Sequence, residues 1–468
     1  MIIVNSLTVI VCGAICLRSA RDLRSNYIKA GLFGGLGLIH GLVPAMTPRH
    51  LLDPTFSNEA RLFAAVYALA AVLAIAGGWA IYDHLKPLSS ARFKNLLRTI
   101  NTRQGKDLYK KLFWVSAMLG ALGVVLKVKA TGSSIFGMAT AMRFAFRNEA
   151  DPVLNILGIY LLNFALVPGF LGFFLSKRHR LWGIVYSIAI AVLCFVAVSK
   201  GARSLPLGLC GAILFGYFFQ REMNVRRLLG FVLGGVAIGW LAISLYEVRH
   251  AMSTHDLGEV VLMALSPSTS ENLLAQDPLN YNEHLVGAVE CFPRQHPFLF
   301  GATYRRMLMF FIPRRFFPEL KPEDTNKLFA LEVYNLPVDL ETTIPPTIPG
   351  DCYINFGGWL GLVVLFGYGL FFAWVSQKLQ SSLLWFTAFG PQITKLLLLG
   401  MRGQPYELFV MCLFILIGTW LIAYALGAPF RSLRGHLRAQ VVPHRTGRQR
   451  GLPRRKTAAR DIATVSRF

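Results

Sequence analysis

Residues 62–82 read LFAAVYALAAVLAIAGGWAIY, a block of twenty-one positions that contains no charged side chain. A helix of about 20 apolar residues is long enough to cross the hydrocarbon core of a bilayer. Helices of soluble proteins instead place charged residues on the face that meets water. The block therefore predicts a membrane-spanning helix.

The same kind of block recurs along the whole chain of 468 residues, which has a mean hydropathy of +0.49 and only 15% charged residues. Soluble domains carry nearer to a quarter. Further helices are predicted at 2–17, 28–46, 112–129, 152–175, 181–199, 205–220, 228–246, 354–375, 383–400 and 407–427. The sequence thus predicts an all-α polytopic membrane protein with about eleven transmembrane helices, or ten if the short first block does not span.

Basic residues concentrate in every second connection between these blocks, as the positive-inside rule requires of cytoplasmic loops. The basic connections contain Arg18, Arg21 and Arg24; eight Lys or Arg within 83–111; Lys177, Arg178 and Arg180; and Arg221, Arg226 and Arg227. The segment 428–468 is also strongly basic. We expect it to be a disordered cytoplasmic tail near anionic lipid headgroups, following a membrane domain at 1–427.

The longest connection, 247–351, must then lie on the opposite side, which is the periplasm in a bacterium. It holds 14 acidic and 8 basic residues, a net charge of −6 in a chain whose total is +24. Apolar runs punctuated by prolines predict short helices and turns in this loop. Because the positive charge follows the cytoplasmic connections, it does not indicate a nucleic-acid partner.

Several cations break the orientation rule and fall on the outer side. Cations at the membrane are costly and are usually paired or functional. Arg203, in the turn between two predicted helices, has no acid near it in sequence and is a candidate for binding an anionic substrate. The other candidates are Lys200, Arg305, Arg314, Lys321 and Arg402. For Arg305 a pairing with the acids of the loop is the alternative, and for Arg402 a pairing with Glu407.

Cysteines and histidines predict no metal centre. Cys291 and Cys352 flank the loop and can pair if it is periplasmic, and five other cysteines fall in apolar blocks. His250, His255, His284 and His296 in the loop are expected to be solvated. No spacing resembles a zinc site, and no Asp-x-Asp pattern is present to hold a metal with a nucleotide sugar. We therefore expect neither a metal nor a cofactor.

Four short segments carry a resemblance to a known family. Residues 304–322 read YRRMLMFFIPRRFFPELKP, residues 345–361 read PPTIPGDCYINFGGWLG, residues 200–204 read KGARS, and residues 401–403 read MRG. In this order they resemble the motifs of bacterial oligosaccharide repeat-unit polymerases, the O-antigen polymerase family.

The resemblance implies a GT-C-like fold and a metal-independent glycosyltransferase. Such an enzyme joins oligosaccharide repeat units carried on undecaprenyl pyrophosphate at the periplasmic face of the inner membrane, forming O-antigen of lipopolysaccharide or another exopolysaccharide. Arg203 and Arg314 match motif positions with an expected catalytic role in stabilising the leaving pyrophosphate. Lys200, Arg305, Lys321 and Arg402 are expected to bind substrate. The expected partners are the lipid-linked oligosaccharide, membrane lipids and, as a candidate, a chain-length regulator.

Two questions stay open at this point. The base for the acceptor hydroxyl is either Asp351 or His255, and Asp351 can equally cap a helix or play another structural role. An O-antigen ligase, or a flippase or transporter of the lipid-linked oligosaccharide, is the alternative function. The match at 312–314 and 355–357 favours a polymerase over a ligase, and the absence of repeated halves counts against a transporter.

Overall fold

The computed structural model of the protein describes residues 1–20, 23–47, 52–86, 103–131, 161–174, 281–309, 325–335, 344–381 and 405–425, with isolated positions between them. Within these ranges the protein is helical and has no β-strand. Met1–Ile422 forms one compact unit and Ala423–Phe468 a second one. The predicted basic tail, 428–468, lies outside the described residues.

The helices of the described ranges differ greatly in length. They are α1 (Ile2–Ala20), α2 (Leu23–Gly37), a π-helical turn (Leu38–Leu42), α3 (Val43–Met46), α4 (Asn58–Leu85), α5 (Arg103–Thr131), α6 (Leu166–Phe174), α7 (Tyr281–Cys291), α8 (Ala302–Leu308), α9 (Thr325–Tyr334), α10 (Ile348–Ser381) and α11 (Pro405–Ala425). Short 3-10 turns lie at Asn163–Ala165 and Gly390–Gln392.

Five of these helical segments are long and apolar enough to cross a membrane. They are Ile2–Ala20, Asn26–Met46, Asn58–Leu85, Lys110–Ala130 and Ile348–Ser381. The prediction of an all-α protein with membrane-spanning helices is confirmed to that extent, and the short first block is one of the five. The predicted helices at 181–199, 205–220 and 228–246 lie almost entirely outside the described residues, and that at 383–400 lies mostly outside them.

The central pair of the bundle is α4 and α10, which run side by side in the same direction. The ring of Tyr67 lies 5.2 Å from that of Tyr353 near the start of both helices, and Tyr82 donates a 2.7 Å hydrogen bond to Gln377 near their ends. Between these points Gly78 and Gly369 face the partner backbone so closely that a Cβ at either glycine would collide with it. This close approach requires glycine.

The helices α1 and α2 complete the described part of the bundle. Cys16 of α1 donates to the carbonyl of Ala30 in α2. On its other side α2 runs antiparallel to α4, because Lys29 pairs with Asp83 at 3.2 Å while Phe33 packs edge-on against Trp79 at 6.4 Å. Trp79 is buried among these helices. We call the end of the bundle opposite the Lys29–Asp83 pair the loop end.

The described residues of the segment 247–351, for which the sequence predicts short helices and turns, include the three short helices α7, α8 and α9. Every residue of α7 except Glu290 is buried. Cys291 and Cys352 are both buried free thiols, so the disulfide that the sequence allowed between them is not formed. The helix α7 is therefore packed into the loop end.

Candidate functional site

Two of the site residues predicted from sequence fall within the described ranges, Asp351 and Arg305. The remaining predicted site residues, Arg203, Arg314, Lys200, Lys321 and Arg402, lie outside the described residues, as does His255. The candidate site is therefore built around Asp351 and the elements that contact it.

Asp351 lies in the first turn of α10 and is 1% exposed. The amide nitrogen of Asn355, one turn later, lies 3.4 Å from its Oδ1 and donates a stronger 2.8 Å bond to its backbone carbonyl. Its Oδ2 has no hydrogen-bond partner among the described residues. Thr303 and Tyr304, carried by α8, lie next to the carboxylate, and the hydroxyl of Thr303 likewise has no hydrogen-bond partner among the described residues. Asp351 is thus surrounded by neutral polar groups and forms no ion pair with a described lysine or arginine.

The start of α10 explains why Asp351 is not a helix cap. The sequence predicted a helix from residue 354, but the helix begins at Ile348, where the side chain of Thr347 caps it. The Oγ1 of Thr347 accepts from the backbone nitrogen of Gly350 at 3.3 Å, and Pro349 in the first turn needs no amide hydrogen. The capping interpretation of Asp351 is therefore wrong, and its carboxylate is free of that role.

Thr347 itself has φ +70°, which is rare for a β-branched residue. Its carbonyl lies against Gly403, where φ is +69° and a Cβ would collide with that carbonyl. The turn at 401–403 therefore packs on the residue that caps α10. Two segments that carry the family resemblance, 345–361 and 401–403, meet at this point, although the Arg402 side chain lies outside the described residues.

A sharp bend at Gly357 shapes the other side of the site. Gly357 has φ +72° and ψ −167°, a conformation open essentially only to glycine. A Cβ at Gly361, four residues beyond the bend, would lie 3.0 Å from the carbonyl of Cys352, a separation far too short for a straight helix. The first two turns of α10 therefore fold back toward the part that follows the bend.

The bend creates a polar contact between α8 and both parts of α10. The hydroxyl of Tyr304 lies 3.6 Å from the Sγ of Cys352 and 3.4 Å from the hydroxyl of Tyr368. The Tyr304 ring packs against Phe356 with centroids 5.3 Å apart. A backbone bond of 2.9 Å from Leu299 to the carbonyl of Ile354 fixes the turn that leads into α8.

The predicted substrate ligand Arg305 lies in α8, directly after Tyr304. Its side chain is exposed and forms no ion pair with a described acid, so within the described ranges nothing supports the alternative that it pairs with the acids of the loop. In α8 the residues Thr303 and Tyr304 thus face Asp351, while Arg305 presents its guanidinium to the surroundings.

The helix α7 ties these elements to the bundle through three consecutive polar residues. The Oδ1 of Asn282 lies 3.2 Å from Nδ1 of His40, in the π-helical turn. Both carboxylate oxygens of Glu283 accept from Nη1 of Arg61 in α4, at 2.6 and 2.7 Å. The Nδ1 of His284 donates to the carbonyl of Pro345 at 2.8 Å, two residues before the cap of α10.

The ion pair between Arg61 and Glu283 is the most deeply buried charged contact of the described ranges, with both side chains 5% exposed. Burial raises the pKa of Glu283, and the bonds from Arg61 oppose that rise. Arg61 also donates to the carbonyl of Asp53 at 2.6 Å, which ties down the segment before α4. Removal of either partner would leave the other as an uncompensated buried charge.

Sequence reasoning missed Arg61, Glu283 and His40 as positions of interest. The expectation that the loop histidines are solvated is wrong for His284, which is 6% exposed and surrounded by the rings of Tyr281, Phe329 and Tyr334. A usable signal was present, because Arg61 directly precedes the uncharged block 62–82. A charge at the edge of a membrane span is a reason to search for a buried partner.

Comparison with known proteins gives no match: no family model, no curated protein and no solved structure is similar to this chain. Among the described residues no group of three His, Cys, Asp or Glu side chains could hold a metal ion. The chemistry that these residues offer is proton transfer at a buried carboxylate, next to an exposed cation on α8.

Because the Arg61–Glu283 pair is buried, we expect Arg61→Met to lower the free energy of unfolding much more than Arg294→Met does. Arg61→Met leaves the Glu283 carboxylate buried without its partner and should lower the free energy of unfolding by about 3–5 kcal/mol. Arg294→Met removes pairs of 3.5 and 3.8 Å whose arginine is 59% exposed, and should cost no more than about 1 kcal/mol. Thermal unfolding in detergent measures both. The double variant Arg61→Met/Glu283→Leu should recover most of the loss; equal melting of the two single variants would contradict the assignment.

Because of the bend, we expect alanine to be destabilising at Gly357 and neutral at Gly358. Gly357→Ala forces a side chain into a conformation that costs about 1–3 kcal/mol and brings its Cβ to 3.2 Å from the Phe298 ring. Gly358→Ala meets nothing within 4 Å and should be neutral. Trypsin cleavage in the folded protein at Arg305 reports on the loop end, and only the Gly357 variant should be cut faster. Equal cleavage of both variants would show that the bend does not hold α8 in place.

Proposed function

We propose that this protein is an inner-membrane glycosyltransferase that polymerises oligosaccharide repeat units carried on undecaprenyl pyrophosphate. In the reaction an acceptor hydroxyl oxygen bonds to the anomeric carbon of the donor sugar. The bond from that carbon to the pyrophosphate oxygen breaks, and its electron pair leaves with the pyrophosphate. The acceptor's proton passes to a base. The sugar–pyrophosphate bond supplies the free energy, so no nucleotide is required.

The observation that carries the proposal is the meeting of three segments at the loop end. The segments 304–322, 345–361 and 401–403 are far apart in sequence, and each resembles a motif of the repeat-unit polymerases. Within the described ranges Tyr304 contacts Cys352 and Gly403 packs on Thr347. Residues that share a reaction must be neighbours in space, and the described residues of these segments are neighbours.

The proposed roles divide between cations and one carboxylate. Arg203 and Arg314 stabilise the charge that develops on the departing pyrophosphate, while Lys200, Arg305, Lys321 and Arg402 hold the lipid-linked substrate. Asp351 takes the proton of the acceptor hydroxyl, because its Oδ2 has no hydrogen-bond partner among the described residues.

The location proposed for the site is the periplasmic face. The parallel course of α4 and α10 agrees with the alternation of basic connections, which has both helices enter the membrane from the periplasm. Buried charges of the loop end, Arg61 and Glu283, then lie near the level of the lipid headgroups. A lipid-linked pyrophosphate reaches the site at that level without leaving the membrane.

The proposed function predicts a defined glycolipid phenotype. A deletion strain should carry surface glycolipid capped with a single repeat unit, and the wild-type gene should restore long chains. Asp351→Asn and Arg203→Ala should each reduce chain extension by about 100-fold or more, the size expected for loss of an acid–base or charge-stabilising group. Arg294→Ala, at an exposed position, is the control and should behave as wild type.

Gel separation of the glycolipids distinguishes the alternatives. Loss of a ligase would leave long chains on the undecaprenyl carrier, and loss of a flippase would leave single units that never reach the surface. Long chains on surface glycolipid in the deletion strain would refute all three functions.

The orientation predicts which engineered cysteines an impermeant thiol reagent can reach in intact cells. Gln295→Cys, exposed at the loop end, should be labelled, and His84→Cys, exposed near the far end of α4, should not. Both should be labelled after the membrane is opened, and the parent chain sets the background from the native cysteines. Labelling of His84→Cys alone in intact cells would reverse the proposed orientation.

A further inference from the structure

The hydroxyl of Tyr304 lies in a buried polar group at the bend of α10. It is 3.4 Å from the hydroxyl of Tyr368 and 3.6 Å from the Sγ of Cys352, the residue that directly follows Asp351. The ring is held separately, by its packing on Phe356. The ring therefore fixes where the side chain lies, and the hydroxyl is the group that forms hydrogen bonds.

Asp351 depends on such neutral neighbours. A buried carboxylate is normally held by a cation or by several hydrogen-bond donors. No described lysine or arginine pairs with Asp351, and the contact from the side chain of Asn355 is long, at 3.4 Å. Within the described ranges the neighbouring groups that are able to donate to it are the hydroxyls of Thr303 and Tyr304, both carried by α8, and the hydroxyl of Thr303 has no other hydrogen-bond partner there.

The proton of Tyr304 has a defined direction. Burial raises the pKa of the Tyr304 phenol well above its usual range, so the hydroxyl stays protonated and remains a donor. Tyr368 and Cys352 are both able to donate toward the Tyr304 oxygen. When one of them does so, the Tyr304 proton is free to point at the Asp351 carboxylate. Titratable neighbours of Asp351 in the described ranges are these same three residues.

We propose that Tyr304 is the positioning residue of Asp351: its hydroxyl donates to the carboxylate and fixes the rotamer in which Asp351 accepts the proton of the sugar hydroxyl. This inference rests on the proposed glycosyltransferase function. Tyr304 does not touch the substrate in this scheme. It acts only through Asp351, and α8 is the element that delivers it to the bend.

The test is Tyr304→Phe, which removes one oxygen and keeps the ring on Phe356. Purified protein in proteoliposomes receives the lipid-linked repeat unit extracted from the deletion strain, and chain extension is followed. The kcat should fall about tenfold or more, as for loss of one hydrogen bond to a charged group, with KM unchanged. The matched control is Tyr82→Phe, which loses a 2.7 Å bond to Gln377 at the far end of the bundle and should keep the wild-type kcat.

A double-variant cycle separates positioning from a structural role. Thermal unfolding first establishes that Tyr304→Phe is folded. In an Asp351→Asn background, Tyr304→Phe should then change the residual kcat by less than about twofold, because the group through which it acts is already gone. An unchanged kcat in the single variant, a rise in KM alone, or a full additional loss in the double variant would each overturn the inference.

Different results would refute the proposed function and the positioning role of Tyr304. If the wild-type protein does not extend chains from the extracted lipid, the proposed function fails, and the positioning role falls with it. If the wild type extends chains and Asp351→Asn is fully active, the proposed function survives and the role of Tyr304 is overturned.

Discussion

Two charges, Arg61 and Glu283, are buried together where the helical bundle meets the segment that covers it. A guanidinium or a carboxylate alone at 5% exposure would be strongly destabilising, so each requires the other. The two residues come from α4 and α7, which are far apart in the chain. The neighbours of Glu283 add a contact to the π-helical turn through Asn282 and one to the start of α10 through His284. The position of Asp351 therefore depends on a helix that does not contain it.

The second constraint is the backbone of Gly357. A straight helix would carry Cys352 and Tyr368 more than 20 Å apart along its axis, at about 1.5 Å per residue. Tyr304 contacts both of them, which the bend alone makes possible. The ion pair fixes where α10 begins, and the bend fixes how its first two turns are presented to α8. The ion pair and the bend together determine where the carboxylate of Asp351 lies.

Sequence reasoning succeeded where the physical signal is local and failed where it is not. Uncharged blocks such as 62–82 report directly on burial in a membrane, so α4 was predicted within a few residues. The prolines of 345–349 suggested a loop, yet Pro349 lies in the first turn of α10, and Thr347 caps it in a conformation that composition does not reveal. The polar run Asn282-Glu283-His284 looks solvated because its three partners are 242, 222 and 61 positions away.

Asp351 differs from Glu283 and Glu290 in the partners that its carboxylate has. Glu283 is neutralised by Arg61, and Glu290 accepts from the backbone and the hydroxyl of Ser57 at 3.1 and 2.6 Å. Asp351 is 1% exposed and receives no comparable compensation within the described ranges. Asp83 also has one oxygen without a hydrogen-bond partner, but its other oxygen pairs with Lys29, whereas Asp351 pairs with no described cation. Such exceptions concentrate at functional sites, where an unused lone pair is what proton transfer requires.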